Sequence, residues 1–185
     1  MSPTSSTALS RRRLLQAGVA AAWSAAMPGM VRAAPFQEIT WDALVPRDWN
    51  PMESFRDLQK LGALPDWDPR VEALYDRMRK VWDEAPTVPA LQGRQVRIRG
   101  FVVPLESGEK GLREFLLVPY FGACIHAPPP PANQIIHVRV DPPVRGFPTM
   151  SAVRVSGILD RQRGNTELGA SGYSLRAALV ERLLK

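Results

Sequence analysis

The sequence predicts a mainly β protein with helices: a small OB-like five-stranded barrel preceded by an N-terminal helical and irregular wrapper. Three observations carry this reading. Apolar and polar residues alternate with period two in short runs from about residue 94 onward. Two of those runs hold a glycine in mid-strand, as sharply bent barrel strands do. The stretch from Pro35 to Pro89 lacks this alternation and is rich in proline and tryptophan. A two-sheet sandwich is the alternative architecture.

Residues 1–33 differ in character from the rest of the chain. Arg11, Arg12 and Arg13 precede Leu14 and Leu15, then the weakly apolar run Ala17 to Met27, and Val31-Arg32-Ala33 puts small residues at a cleavage site. This order resembles a twin-arginine export signal. Ala17 to Met30 is shorter than the ~20 residues a membrane span needs, so cleavage near Ala33 and a periplasmic location are expected. No transmembrane segment is expected in the mature chain. The whole chain carries a net charge of +6, from 24 basic and 18 acidic residues. Four arginines and no acids lie in 1–33, so the mature chain carries 20 basic and 18 acidic groups and is close to neutral. That balance argues against nucleic acid as a partner.

In the extension, residues 34–90, Trp41, Trp49 and Trp67 sit among prolines, as aromatic chain lying across a core does. Ser54 is placed to cap a short helix with Phe55, Leu58 and Leu61 on one face. A longer helix starts at Asp68, with Pro69 in its first turn, and stops before Pro86. Val71, Leu74, Tyr75, Met78, Val81 and Trp82 make one apolar stripe along it, expected to pack on the protein's own sheet.

The barrel is placed in residues 91–185. Gln95 to Arg99 alternates, Gly100 suggests a bulge or bend, and Phe101 to Leu105 continues the strand. A polar turn over 107–111 leads to a second strand through Val118. Further strands are expected over Gln134–Val140, Ala152–Leu159 with Gly157 inside it, and Tyr173–Val180. With 185 residues, 45% of them hydrophobic, the chain suffices for one such core with a wrapping extension. Prolines number 18, about twice the usual ~5%. The single cysteine excludes an internal disulfide framework, a four-cysteine zinc site and a cysteine-bound iron–sulfur cluster.

The segment Val118 to Gln134 concentrates the chemistry. Cys124 and His126 are the only cysteine and one of two histidines, and Pro128, Pro129, Pro130 and Pro131 come next as a stiff polyproline spacer of ~12 Å. This segment, with Val96-Arg97-Ile98-Arg99-Gly100-Phe101-Val102-Val103-Pro104-Leu105, Val155-Ser156-Gly157, Gly172-Tyr173 and the opening Ile39 to Pro46, resembles domain-of-unknown-function family 3299, small exported bacterial proteins with a Cys-x-His-x-Pro-rich motif. The resemblance covers most of residues 38–181. Ala127 stands where the family has valine, and Ala132 where it has proline. Some members resemble products of zinc-responsive gene clusters that encode a lipoprotein-exporter-like ABC transporter. That likeness implies an envelope metal or transport context and an ABC-transporter-linked partner.

Three roles fit these residues. Cys124 and His126, on the same side of an extended chain, can address one Zn(II) or copper ion, with His137 as a third ligand; alternatively Cys124 is a small buried hydrophobe and His126 caps a turn. A cysteine hydrolase would need a third orienting group, and a dithiol oxidoreductase a second cysteine, so an enzyme is disfavoured. A partner-docking surface would use Tyr120, Phe121, the four prolines, Asn133 and Gln134. The expected role is that of an exported envelope binding or adaptor protein, metal-linked through Cys124 and His126 or docking through the proline loop without metal.

Overall fold

The computed structural model describes residues 35–56, 65, 67–106, 111–123 and 130–183. The expected export signal in 1–33, and Leu58 and Leu61 of the expected short helix, lie outside these residues. Eight strands are assigned: β1 (Gln37–Glu38), β2 (Arg94–Pro104), β3 (Leu112–Val118), β4 (Ile136–Val144), β5 (Ala152–Asp160), β6 (Gly164–Thr166), β7 (Gly169–Ser171) and β8 (Tyr173–Arg182). Five of them close a barrel in the order β2-β3-β4-β8-β5 and back to β2. All pairings in this ring are antiparallel except β4–β8. The mainly β, five-stranded closed barrel is therefore the observed fold.

Closure depends on β2 serving two neighbours. Its first eight residues pair with β5, from Arg94 opposite Leu159 to Phe101 opposite Ala152. Its last four pair with β3, from Phe101 opposite Val118 to Pro104 opposite Phe115. The handover falls at Gly100. A Cβ there would lie 2.7 Å from the Val118 carbonyl oxygen and 2.9 Å from the Leu117 side chain. Gly100 was expected to mark a bulge or bend, but its ladder to β5 is unbroken; its role is to admit β3. Gly157 does mark a bulge, because the β5–β8 register shifts between Ser156 and Gly157.

The interior is filled from alternate positions of every barrel strand, as period-two patterning requires. Val96, Ile98 and Val102 of β2, Phe115 and Leu117 of β3, and Ile136 and Val138 of β4 meet Val153, Val155, Leu159, Tyr173 and Leu175, all essentially without solvent exposure. A second apolar layer lies outside the barrel. The opposite parity of β2 and β3 supplies Phe101, Val103, Leu105, Leu116 and Val118, covered by Ala123, Ile135, Met150 and Leu168.

The wrapper differs from expectation in several places. A 3-10 helix not expected from the sequence spans Pro51–Phe55, capped by Asn50, whose side-chain oxygen accepts from the Met52 N–H at 3.1 Å, with Pro51 fixed for the first helical position. The helix expected after Ser54 runs into residues outside those described. The α-helix α1 (Pro69–Asp83) starts as predicted, with the Asp68 carboxylate accepting from the Arg70 N–H at 2.9 Å. Hydrogen bonds from the Arg70 guanidinium hold the Asp68 carboxyl down to about 2, so the cap stays charged at any ordinary pH. At the other end the Arg163 guanidinium donates to the carbonyls of Asp83, Glu84 and Ala85, placing a cation at the negative end of the helix dipole. Only Val71 and Leu74 are buried, and Tyr75 is 55% exposed. The expected stripe on the sheet is thus corrected: α1 rests on the 3-10 helix and on β7, elements too narrow to cover the whole stripe. Trp67, expected across the core, is exposed, whereas Trp41 packs against it.

Two further differences concern strands. β4 runs on to Val144, beyond the expected end at Val140, because Val144 pairs with Leu112. The hairpin β6–β7 was not expected; three-residue strands are too short to show a period. Gly157→Ala should test the bulge. Its Cβ would lie 2.2 Å from the Arg176 carbonyl oxygen, so backbone must move, and the substitution should cost about 2 kcal/mol or more. Urea unfolding of the variant beside the wild type checks it; an unchanged midpoint would refute the packing assignment.

Candidate functional site

The motif segment leaves β3 at Val118 and turns at once. Gly122 takes φ +89°, a value glycine adopts without strain, and Ala123 beyond it is fully buried in the outer apolar layer. The turn leaves Tyr120 43% and Phe121 68% exposed. Phe121 is not free to swing: its ring meets that of Phe101 edge to face, with centroids 5.9 Å apart. The Gly122 N–H donates to the Met150 thioether at 3.3 Å. Met150, from the loop between β4 and β5, was missed in the sequence, where an isolated methionine in a loop carries no signal.

Cys124, His126, Pro128 and Pro129 lie outside the described residues. The chain resumes at Pro130, which is buried, and Pro131 has the polyproline conformation expected of it, with φ −55° and ψ 150°. A 3-10 turn comes next, over Ala132–Gln134. Asn133 and Gln134 were grouped with the docking residues, but the structure points their amides inward. Asn133 is fully buried, and its Nδ2 donates to the Pro86 carbonyl at 3.0 Å. Its Oδ1 is buried with no partner among the described residues. The Gln134 amide donates to the Trp41 carbonyl at 2.9 Å. Both bonds tie the motif to the wrapper.

Two neighbours complete the tie. The Gly172 N–H donates to the Ala132 carbonyl at 2.6 Å, and a Cβ on Gly172 would lie 2.9 Å from that same oxygen. Tyr173, fully buried, accepts from the Val88 N–H at 2.7 Å and donates its hydroxyl to the Leu44 carbonyl at 2.8 Å. Burial raises its pKa, against the opposing pull of the Val88 bond. The paired Gly172-Tyr173 of the sequence thus has a physical reading: the glycine admits the motif backbone, and the tyrosine pins the wrapper on both sides.

His137 sits apart from these contacts, on the outer face of β4. Its Nε2 lies 2.9 Å from Oε2 of Glu114, whose other carboxylate oxygen meets Arg139 at 3.3 Å. A carboxylate only accepts, so Nε2 carries the hydrogen, and Nδ1 lies toward Gly164 of β6. Among the described residues no three His, Cys, Asp or Glu side chains gather into a metal-binding group. The structure therefore brings His137 to Glu114, a partner two positions from its cross-strand neighbour Leu116.

Two open clefts flank the barrel. One of ≈ 640 Å³ is lined by Pro104, Leu112, Val144, Arg145, Phe147 and Pro148. The other, of ≈ 610 Å³, lies between the end of α1 and the β6–β7 hairpin. Neither is lined by a residue of the Val118–Gln134 motif. No helix among the described residues is long and apolar enough to cross a membrane.

Comparison with known proteins gives a family and a fold. The model of the family described as "Protein of unknown function (DUF3299)" matches residues 41–182. The crystal structure of a DUF3299 family protein from Pseudomonas aeruginosa PAO1 is 32% identical, covers 82% of this chain and 99% of its own, and superposes with a TM-score of 0.61. An OBody bound to hen egg-white lysozyme is 17% identical, over 53% of this chain and 89% of its own, with a TM-score of 0.35. Asparaginyl-tRNA synthetase from Pyrococcus horikoshii is 18% identical, over 51% of this chain and 20% of its own, with a TM-score of 0.34. No curated protein matches the chain.

The inward bonds give a direct test. Tyr173→Phe removes a hydroxyl that satisfies one buried carbonyl and one half-buried N–H, so it should cost about 2 kcal/mol. It should also open the wrapper near Leu44 and Val88 before the barrel, read as faster amide exchange at Val88 in the variant. Unchanged exchange at Val88 would show that the hydroxyl does not hold the wrapper.

Proposed function

The chain belongs to the DUF3299 family, and we propose that it is an exported cell-envelope binding module, a non-enzymatic adaptor that docks a partner protein through its motif loop. The observation that carries the reading is the turn Tyr120–Gly122. It presents two aromatic rings to solvent while its backbone is fixed to the barrel by Phe101 and Met150. Exposed aromatics held in place lose little entropy on binding, which is the property of interface anchors. Of the described residues of the proline run expected to share in docking, Pro130 is buried and only Pro131 is half-exposed, in a stiff polyproline conformation, so the docking reading rests on the aromatic pair. Asn133 and Gln134 serve this surface indirectly, by fixing the far end of the loop to the wrapper.

Export rests on the twin-arginine-like segment. The stretch Val31-Arg32-Ala33 that follows its apolar run puts small residues at the cleavage site, which supports maturation near Ala33 and a periplasmic location. A photo-crosslinking residue at position 121, in the full chain expressed in its host, tests the docking reading. A discrete adduct with one envelope protein is expected at 121 and not at position 75, where Tyr75 is also exposed. Replacing Arg11, Arg12 and Arg13 by lysine should abolish it by blocking export. The same adducts at 75 and 121, or none at either, would refute the proposal.

A metal-linked form of the reading is favoured by Met150. Its thioether is held at the Gly122 N–H, two residues before Cys124 along the chain. Thiolate, imidazole and thioether together suit Cu(I) better than Zn(II), since soft sulfur donors select it. Cys124 and His126 would supply the other two donors. His137 is engaged by Glu114 and has only Nδ1 to offer. Native mass spectrometry of the reduced chain with Cu(I) and with Zn(II) decides the point. A stoichiometric copper adduct lost in Cys124→Ala and weakened about tenfold or more in Met150→Leu is expected. Equal adducts in all three proteins would remove the metal from the proposal.

A further inference from the structure

We propose that Met150 is an oxidation-sensitive latch for the Tyr120–Gly122 turn. Three observations meet at this residue. Its backbone is in the left-handed region at φ +62°, where an unbranched non-glycine residue is strained. That conformation is held from both sides: the Met150 N–H donates to the Val102 carbonyl at 2.7 Å, and the Val102 N–H donates to the Ser151 carbonyl at 3.1 Å. The Ser151 hydroxyl in turn donates to the Pro148 carbonyl at 2.7 Å. The strained backbone aims the side chain along the outer face of the barrel, where the thioether packs on the cluster of Val103, Leu116, Val118, Ala123 and Ile135. Its sulfur accepts the Gly122 N–H at 3.3 Å. Met150 is only partly buried, and whether an oxidant reaches its sulfur is read directly by peroxide treatment.

Oxidation acts at the atom that makes the latch. A two-electron oxidant of the peroxide class transfers one oxygen atom to Sδ: the O–O bond breaks, an S–O bond forms, sulfur gives up two electrons, and the oxidant leaves as water. In the epimer whose oxygen takes the lone pair that accepts the Gly122 N–H, that oxygen stands one S–O bond length out from sulfur. The Met150 backbone is held at Val102 and, through Ser151, at Pro148, so making room falls to the turn, which moves outward. The sulfoxide is also polar, and it is placed against five apolar side chains where no described donor other than the Gly122 N–H meets it. Loosening the turn would free Phe121 from Phe101; the consequence for docking rests on the function proposed above, while the latch itself does not.

Hydrogen exchange on the full chain tests the latch apart from any partner. The chain is treated with hydrogen peroxide in the presence of a chelator, and Met150 oxidation is followed at the peptide level beside the exposed Met52. Conversion of Met150 to the sulfoxide should speed exchange of the Gly122 amide about tenfold, and methionine sulfoxide reductases should restore protection. Met150→Leu, which lacks the acceptor, should show the fast exchange from the start and no response to peroxide. Sulfoxide at Met150 with Gly122 still protected would overturn the proposal. So would a Met150 that stays reduced when Met52 is fully oxidised. Both readouts are independent of crosslinking at position 121, so failure of the latch and failure of the docking function are distinguishable.

Discussion

The structure depends on one strand being shared. β2 is 11 residues long, and only such length lets it pair with β5 along its first part and with β3 along its last. The turn from one partner to the other brings the β3 backbone so close at Gly100 that no side chain fits. Without that handover the sheet would stay open, with β2 and either β3 or β5 as its free edges. Closing it removes both edges and gives every strand a buried inner face. The slit left beside the first half of β2 is filled by the wrapper. β1 pairs there in parallel, the Ile39 N–H donates to the Arg97 carbonyl at 2.9 Å, and the Trp41 indole donates to the Arg99 carbonyl at 2.7 Å.

Barrel closure has a consequence for the motif. Strands β2 and β3 carry apolar residues on both parities where they pair, so their outer face also has to be covered. The segment between β3 and β4 does this with Ala123 and Ile135 at its two ends, Met150 joins from the loop between β4 and β5, and Leu168 comes from the tip of β6–β7. The motif is therefore anchored on either side of the Cys-x-His stretch. One anchor is apolar and carries the exposed aromatic turn. The other is polar and reaches the wrapper through Asn133 and Gln134.

The wrapper is a working part of this arrangement. Its carbonyls at Trp41, Leu44 and Pro86 and its N–H at Val88 are the partners of Gln134, Tyr173 and Asn133. Buried groups of this kind need partners, and the barrel and wrapper satisfy each other. Arg163 extends the principle to the end of α1, joining the helix to the loop that precedes β6.

By itself the sequence determined the fold class, because period-two alternation and mid-strand glycine are local signals that survive without knowledge of neighbours. It also determined the start of α1, where Asp68 and Pro69 act within one turn. It marked the Val118–Gln134 segment as distinctive from composition alone. Tertiary structure decided what sequence spacing could not. Asn133 and Gln134 look like surface polar residues until the wrapper is seen to pass beside them. Tyr75 looks like core until α1 is seen to rest on a narrow support. His137 gains Glu114 only through the β3–β4 register, and Gly100 and Gly157 differ in which strand crowds them and in the bulge that only Gly157 marks. Met150 became visible only when a loop far along the chain came to lie against Gly122. The physical reason is common to all of them: each depends on a contact between segments distant in sequence, and no periodicity records which distant segment arrives.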